Sequence, residues 1–180
     1  PSSSSYLFNK TPLIDKEFNM KILYLYFVKK NSLKSMQNIS KISSLETFPV
    51  RHPVLRTGKP IESCSFEGDD LETTTHFGLF LNEAIIGVVS LFEATNKLFP
   101  QKKQFQIRGM AVLKEHTKQG FGKALLLHCE KYSINQHANL VWFNARTEAT
   151  GFYEKMGYQK TGTPFDIKDV GEHYLMFKLV

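Results

Sequence analysis

One stretch, Gln104–Tyr132, limits what this chain can fold into more than any other, because its hydrophobic period changes abruptly from two to that of a helix. Across Gln104–Leu113 the odd positions Phe105, Ile107, Ala111 and Leu113 are apolar and the even positions begin Gln104, Gln106, Arg108, which predicts a strand. Gly109 sits inside it, where a glycine marks a bulge or a place where something comes close to the backbone. Beyond the turn Lys114–Gln119, the set Phe121, Ala124, Leu125, Cys129 and Tyr132 recurs at helical spacing. The helix therefore starts near Gly120.

The corner between them reads Lys118-Gln119-Gly120-Phe121-Gly122-Lys123. The first backbone N–H groups of a helix have no intrahelical partner and lie at the positive end of its dipole, so two glycines here leave room for an anion. Lys118 and Lys123 fit the same reading, since a cation at a helix N-terminus is disfavoured by about 0.3–1 kcal/mol unless an anion lies between. A solvated turn explains the glycines equally well. The common phosphate motifs fail: Gly120-Phe121-Gly122-Lys123-Ala124 lacks the Ser/Thr and upstream Gly of a P-loop, and no third Gly completes a dinucleotide fingerprint.

The runs Arg108-Gly109-Met110-Ala111-Val112 and Gln119-Gly120-Phe121-Gly122-Lys123-Ala124-Leu125-Leu126 resemble the coenzyme A motif of the GNAT superfamily of acyl-CoA-dependent N-acetyltransferases. A second motif of that superfamily is resembled by Asn144-Ala145-Arg146 and Gly151-Phe152-Tyr153-Glu154-Lys155-Met156-Gly157-Tyr158. The family pattern Gln/Arg-x-x-Gly-x-Gly/Ala fits in two frames. One is Gln119-x-x-Gly122-x-Ala124; the other places Thr117 at the Gln/Arg position and keeps Gly120 and Gly122 as the glycines, which suits the anion corner better. The resemblance covers about Gln37–Val180. It implies an α/β GNAT-like fold with a central mixed, twisted sheet of six to seven strands flanked by helices. It also implies that acetyl-CoA is held by Met110, Ala111, Val112, Thr117, Lys118, Gln119, Gly120, Phe121, Gly122, Lys123, Asn144 and Phe152, and that Tyr153 is the proton donor. Without it, Tyr153 reads as a half-buried aromatic on a short helix.

With 180 residues the chain suits one well-buried core. We expect a single domain over residues 36–180 and an N-terminal extension over 1–35, partly flexible or supplying an added strand at Ile22–Val28. No apolar run approaches the ~20 residues of a membrane span. Ile22–Val28 lacks a small-residue cleavage site, so it is a poor secretory signal. Cys64 and Cys129 make neither a metal spacing nor a disulfide framework, which points to the cytoplasm and to no metal. The formal charge of +6 raises the question of nucleic acid, but residues 1–36 hold six Lys against Asp15 and Glu17, and the rest holds 17 basic against 15 acidic groups. No basic stripe interleaved with aromatics follows, so a nucleic-acid partner is not expected.

Gln37–Ile42 predicts a first strand, and Ser43-Ser44-Leu45-Glu46 is a capping box opening a short helix limited by Pro49 and Pro53. Arg56–Thr75 is a loop with at most one helical turn, whose Glu67, Asp69, Asp70 and Glu72 read as solvated, or as an attraction for a cationic amine. His76–Leu81 and Ala84–Phe92 form a hairpin across Asn82-Glu83, the second strand being apolar enough to be covered on both faces. Leu140–Ala145 is a fifth strand with Trp142 covering core. Thr147–Met156 is a short helix stopped by Gly157. Tyr158–Thr163 and His173–Val180 are the last strands, joined by a connection containing Gly and Pro.

Acyl transfer to an amine needs a neutral nucleophile, and an amine of pKa ~10.4 is neutral in only about one molecule in 2,500 at pH 7. A base is useful, and the sequence singles out none: His76 and Glu93 lie at strand ends but read as ordinary polar residues, and His116 as a solvated one. The expected activity is transfer of an acetyl group from acetyl-CoA to a primary amine of a small molecule or protein, by a monomer or homodimer. A module that binds acyl-CoA without turnover is the alternative.

Overall fold

The computed structural model describes residues 20–24 and 37–180. The chain separates into two units, 1–35 and 36–180. In the first, residues 20–24 are helical, so the Ile22–Tyr24 part of the expected strand is not one, and the rest of Ile22–Val28 lies outside the described residues.

The second unit is built on seven strands: β1 (Gln37–Ile42), β2 (Thr74–Leu81), β3 (Ala84–Glu93), β4 (Gln104–Val112), β5 (Leu140–Arg146), β6 (Gln159–Ile167) and β7 (Gly171–Leu179). They form one mixed sheet in the order β1-β2-β3-β4-β5-β7-β6. Every neighbouring pair is antiparallel except β4 and β5. Three helices flank it: α1 (Phe48–Leu55), α2 (Phe121–Asn135) and the single turn α3 (Thr150–Glu154). This is the α/β architecture that the alternation of periods predicts.

The local signals explain most boundaries. Glu46 accepts from the Ser43 N–H at 2.7 Å while its own N–H reaches Ser43 Oγ at 3.4 Å, the reciprocal pairing of a capping box. The bond from the Ser43 N–H, with a second from the Ser43 hydroxyl at 2.8 Å, holds the Glu46 carboxyl below its ordinary range. Asn82 and Glu83 both take positive φ, 48° and 70°, as a two-residue hairpin turn demands. Two expectations need correction. The helix expected over Thr147–Met156 is a 3-10 turn at Thr147–Ala149 followed by the one turn of α3. The strand expected over Tyr158–Thr163 runs on to Ile167, so Pro164 lies inside β6, at a break in its pairing between Thr161 and Phe165, and not in the connection; an edge strand tolerates it because its outer side has no ladder to lose.

The main core joins Phe77, Leu79, Val89 and Leu91 of the hairpin to Phe105 and Ile107 of β4 and to Leu125, Leu126 and Cys129 of α2. Each fully buried Leu contributes about 1.5–3 kcal/mol. On the opposite face a smaller cluster packs Val50 of α1 against Val88 and Ala111. Here the period-two reading of β4 needs a correction of phase. Val88 pairs with Ala111 and Ser90 with Arg108, so Val89 opposes two residues and the bulge falls at Gly109 and Met110. One extra residue turns every later side chain over: Phe105 and Ile107 face α2, whereas Ala111 and Leu113 face α1.

A buried ion pair fastens the α1 face. Arg51, 0% exposed, binds Asp69 through two nitrogens and also donates to Cys64 O at 2.7 Å and Ser90 Oγ at 2.6 Å. Asp69 is therefore not the solvated loop carboxylate its sequence context suggests. His76 donates from Nε2 to Asp69 O at 2.8 Å, which leaves Nδ1 to accept from Ser90 Oγ at 2.6 Å. Breaking a buried pair by removing one partner strands the other charge. Asp69→Ala is expected to lower unfolding free energy by about 3–5 kcal/mol, measured by urea denaturation. A loss under about 1 kcal/mol would mean that Arg51 finds water or another acceptor.

Candidate functional site

The parallel pair β4 and β5 stays together for three residues only, Gln104–Leu140, Phe105–Val141 and Gln106–Trp142. Beyond them the strands diverge, because β4 bulges at Gly109 while β5 stays paired with β7 as far as Arg146 opposite His173. The divergence opens a cavity of about 430 Å³. Its walls include Arg108, Gly109 and Met110 from β4, Asn144 and Arg146 from β5, and Tyr153 from α3. Past Gln106, the edge of β4 that faces β5 has lost its ladder partner, so alternate backbone groups there are free to bind something other than a strand.

The two sides of this opening differ chemically. Arg108, paired across from Ser90, shares its face with the Arg51–Asp69 network. Asn144 and Arg146 oppose Leu175 and His173, which puts all four on one face of the sheet. Phe143 and Ala145 point the other way, into the core beneath α2. There Tyr153 packs on Phe143 with ring centroids 4.4 Å apart, and Phe152 on Tyr153 at 4.9 Å. Burial pushes the Tyr153 hydroxyl up to about 12, so it holds its proton throughout the neutral range.

At the start of α2 the chain turns sharply, with Lys118 at φ 61° and the capping Gly120 at φ 88°. The first intrahelical bond runs from Ala124 N to Gly120 O at 3.0 Å, and no side chain caps the helix. The N–H groups of Phe121, Gly122 and Lys123 are thus the orphan donors that a helix start leaves. Lys118, Gln119, Gly120 and Lys123 are exposed around them. Thr117 and Gln119, the two residues competing for the first position of the glycine pattern, both donate back into their own turn, to Lys114 O at 2.8 Å and Glu115 O at 3.1 Å. A Cβ on Gly122 would lie 3.7 Å from Phe152 Cζ, so α3 reaches this corner and joins it to Tyr153.

Other residues singled out in the sequence are not brought here. His76 is locked in the Asp69–Ser90 network, Glu93 sits 3.9 Å from Lys103 at the far end of β3, and neither lines the cavity. His116 lies in the turn before α2, edge-on to Phe121. Sequence reasoning missed His173, which lines the cavity although it is buried. Its Nδ1 lies 2.6 Å from Gly171 O; a carbonyl can only accept, so Nδ1 carries a hydrogen, and in the neutral ring the lone pair is then on Nε2. Only the pairing of β7 with β5 puts it beside Arg146, and no spacing in the sequence signals that. Arg56 and Phe66, from the segment between α1 and β2, also reach the cavity.

The model of the Acetyltransferase (GNAT) family matches residues 36–158. The uncharacterized N-acetyltransferase YitI of Bacillus subtilis is 33% identical over 143 residues, which cover 79% of this chain and 96% of that protein. Among solved structures, the ribosomal-protein-S18-alanine N-acetyltransferase of Escherichia coli superposes with a TM-score of 0.64 at 18% identity, over 80% of this chain and 94% of the other. A GNAT family acetyltransferase from Elizabethkingia anophelis with acetyl-CoA bound gives 0.59 at 15% identity, over 80% and 98%. The match over residues 36–158, together with a relative covered almost end to end, makes this chain a member of the GNAT acetyltransferase family.

Proposed function

We propose that the protein transfers an acetyl group from acetyl-CoA to a primary amine by direct attack on the thioester. The observation that carries this reading is the coincidence of three features: a gap between β4 and β5, an uncapped helix start, and a tyrosine on α3 at the cavity wall. The residues present fit the coenzyme. Orphan N–H groups of Phe121, Gly122 and Lys123, with Lys118 and Lys123 beside them, suit its phosphates. Thr117 and Gln119 contribute the shape of the turn, and Phe152 closes over it. The backbone groups of Met110, Ala111 and Val112 that face the gap, with Asn144 across it, suit its amide-bearing arm. When bound, acetyl-CoA supplies an acetyl group already activated as a thioester.

The chain's own residues handle the protons. His173 Nε2 takes one from the attacking amine, imidazole being the side chain best suited to that near neutral pH. A new C–N bond forms as the C–S bond breaks, and the Tyr153 O–H donates to the leaving sulfur. Moving that proton from a phenol at about 12 to a thiolate of ordinary pKa about 8.5 is uphill by roughly 5 kcal/mol. Burial in the same walls raises the proton affinity of the thiolate too, which closes part of the gap. The acceptor is a small-molecule or peptide amine, and the protein works in the cytoplasm as a monomer or homodimer. Residues 1–35 are not needed for folding or coenzyme binding. A chain beginning at Met36 that is insoluble or molten would overturn that boundary.

Two variants test the site. Gly122→Asp puts a carboxylate where phosphates are expected without forcing a positive φ, a cleaner change than one at Gly120, whose φ of 88° strains any side chain. Its coenzyme A affinity is expected to fall at least tenfold by calorimetry, and wild-type affinity would reduce the corner to a turn. Tyr153→Phe keeps the ring and its packing and is expected to lose about 10²–10⁴-fold in turnover at saturating acetyl-CoA, with thermal stability nearly unchanged. A rate within twofold of wild type would mean that solvent protonates the thiolate.

A further inference from the structure

The charge on the cavity walls is one-sided. Arg56, Arg108 and Arg146 reach them together with His173, and among the described residues no carboxylate does. Two of the four acidic residues in the loop before β2 are engaged elsewhere: Asp69 on Arg51, and Asp70 with the Ser44 hydroxyl at 2.7 Å. Arg146 has Glu148 at 4.0 Å. Arg56 and Arg108 have no ion-pair partner among the described residues.

What holds those two guanidinium groups is neutral. Arg56 donates to Ser63 O and Leu55 O, both at 3.0 Å, and Arg108 to Glu67 O at 2.9 Å. Both lie over the Phe66 ring, at 4.9 and 5.4 Å from its centroid, and Arg108 also lies 4.8 Å from that of Phe92. A guanidinium has five N–H donors, so each keeps several. Burial holds Arg108 below its ordinary range, with the Asp69 and Glu67 charges opposing that effect and Arg51 and Arg56 adding to it. A cation desolvated against aromatic rings, with donors to spare and no carboxylate in direct contact among the described residues, is one that an anion would stabilise.

We infer that the acceptor is an amine that itself carries a carboxylate, an amino acid or a close relative, and that Arg56 and Arg108 hold that carboxylate above Phe66. The inference rests on the acetyltransferase reading and names its substrate class. A simple alkylamine arrives as an ammonium ion and is repelled by three guanidinium groups; an amino acid arrives with its own neutralising charge. Once the carboxylate is bound, the remaining positive field disfavours the ammonium form and favours the neutral amine that attack requires. Size agrees: a cavity of about 430 Å³ that must also admit the thioester leaves room for a small molecule. Carboxylate suits better than phosphate because its two coplanar oxygens match one edge of a guanidinium.

The test has two arms. In the first, thiol release from acetyl-CoA is measured with the twenty L-amino acids, with matched amines lacking the carboxylate such as 2-phenylethylamine for phenylalanine, and with phosphoethanolamine and spermidine. Amino acids are expected to exceed their decarboxylated partners at least tenfold in kcat/KM. Arg56→Gln and Arg108→Gln should each lower that value about 10–100-fold, through KM, the loss expected of one charge-assisted hydrogen bond. The decarboxylated amines should lose no rate in either variant and should gain where the lost charge repelled them, whereas loss of a merely structural arginine would lower both classes alike. In the second arm, calorimetry with the coenzyme A complex reads binding of N-acetyl-L-amino acids, and Arg108→Gln should weaken it at least tenfold. Acid binding that depends on Arg108 without thiol release from any amine would sink the acetyltransferase reading and leave the carboxylate site standing. Preference for spermidine, for phosphoethanolamine or for the decarboxylated amines would overturn it, as would wild-type behaviour of both glutamine variants.

Discussion

The structure depends on one buried ion pair whose packing reaches the site. Arg51 joins α1 to Asp69 in the loop before β2 and to Ser90 in β3, and its guanidinium lies 4.1 Å from the centre of the Phe66 ring. That stack occupies the space in front of Gly109. A Cβ there would come within 2.8 Å of Phe66 Cε2 and 3.0 Å of Arg51 Nε, and Gly109 itself sits at φ 59°. The bulge and the ion pair therefore require each other: β4 can kink at Gly109 because that residue has no side chain, and Arg51 fits because β4 has kinked. The kink is what separates β4 from β5. An interaction that looks like anchorage for α1 is thus also what shapes the cavity.

Much of this was legible in the sequence, for reasons that can be named. The change of period between Val112 and Phe121 reports a strand followed by a helix, and Gly109, Gly120 and Gly157 fall where the backbone needs a bulge, a left-handed cap and a stop. Local geometry of this kind is encoded by local residues. The phase of β4 was not legible, because Met110 and Val112 are apolar as well as Ala111 and Leu113, so either set can face the larger core. The bulge decides between them, and a bulge position is visible only once β3 is alongside.

The cavity was less legible than the corner. Its chemistry comes from side chains of α1, β4, β5 and β7, brought together by pairing of residues far apart in the chain. His173 gains its setting from Arg146, 27 positions earlier, across a pairing with no sequence signature. Asp69 misled for the same reason. It stands among Glu67, Asp70 and Glu72 in a polar loop, and what distinguishes it is Arg51, buried 18 positions away. Conversely, the turn and helix start at Gly120 read clearly because all their parts lie within seven consecutive residues.

These two positive regions hold charge by different means, and the difference bears on what each can bind. At the corner the donors are backbone N–H groups fixed by the helix, with Lys118 and Lys123 exposed to water. Charge there is screened by salt and forgiving of ligand shape. In the cavity the charge lies on arginines flattened against Phe66 and held by carbonyl oxygens. Those contacts fix the planes of the guanidinium groups before any ligand arrives, so little side-chain freedom is lost on binding. One ring also divides three arginines by role: Arg51 is satisfied by Asp69 and wholly buried, whereas Arg56 and Arg108 stay at the wall with donors unspent. Pairing Arg51 internally uses up Asp69, the buried carboxylate of the loop, and among the described residues no carboxylate lines the cavity, so the same bond that holds α1 in place helps to keep the cavity positive.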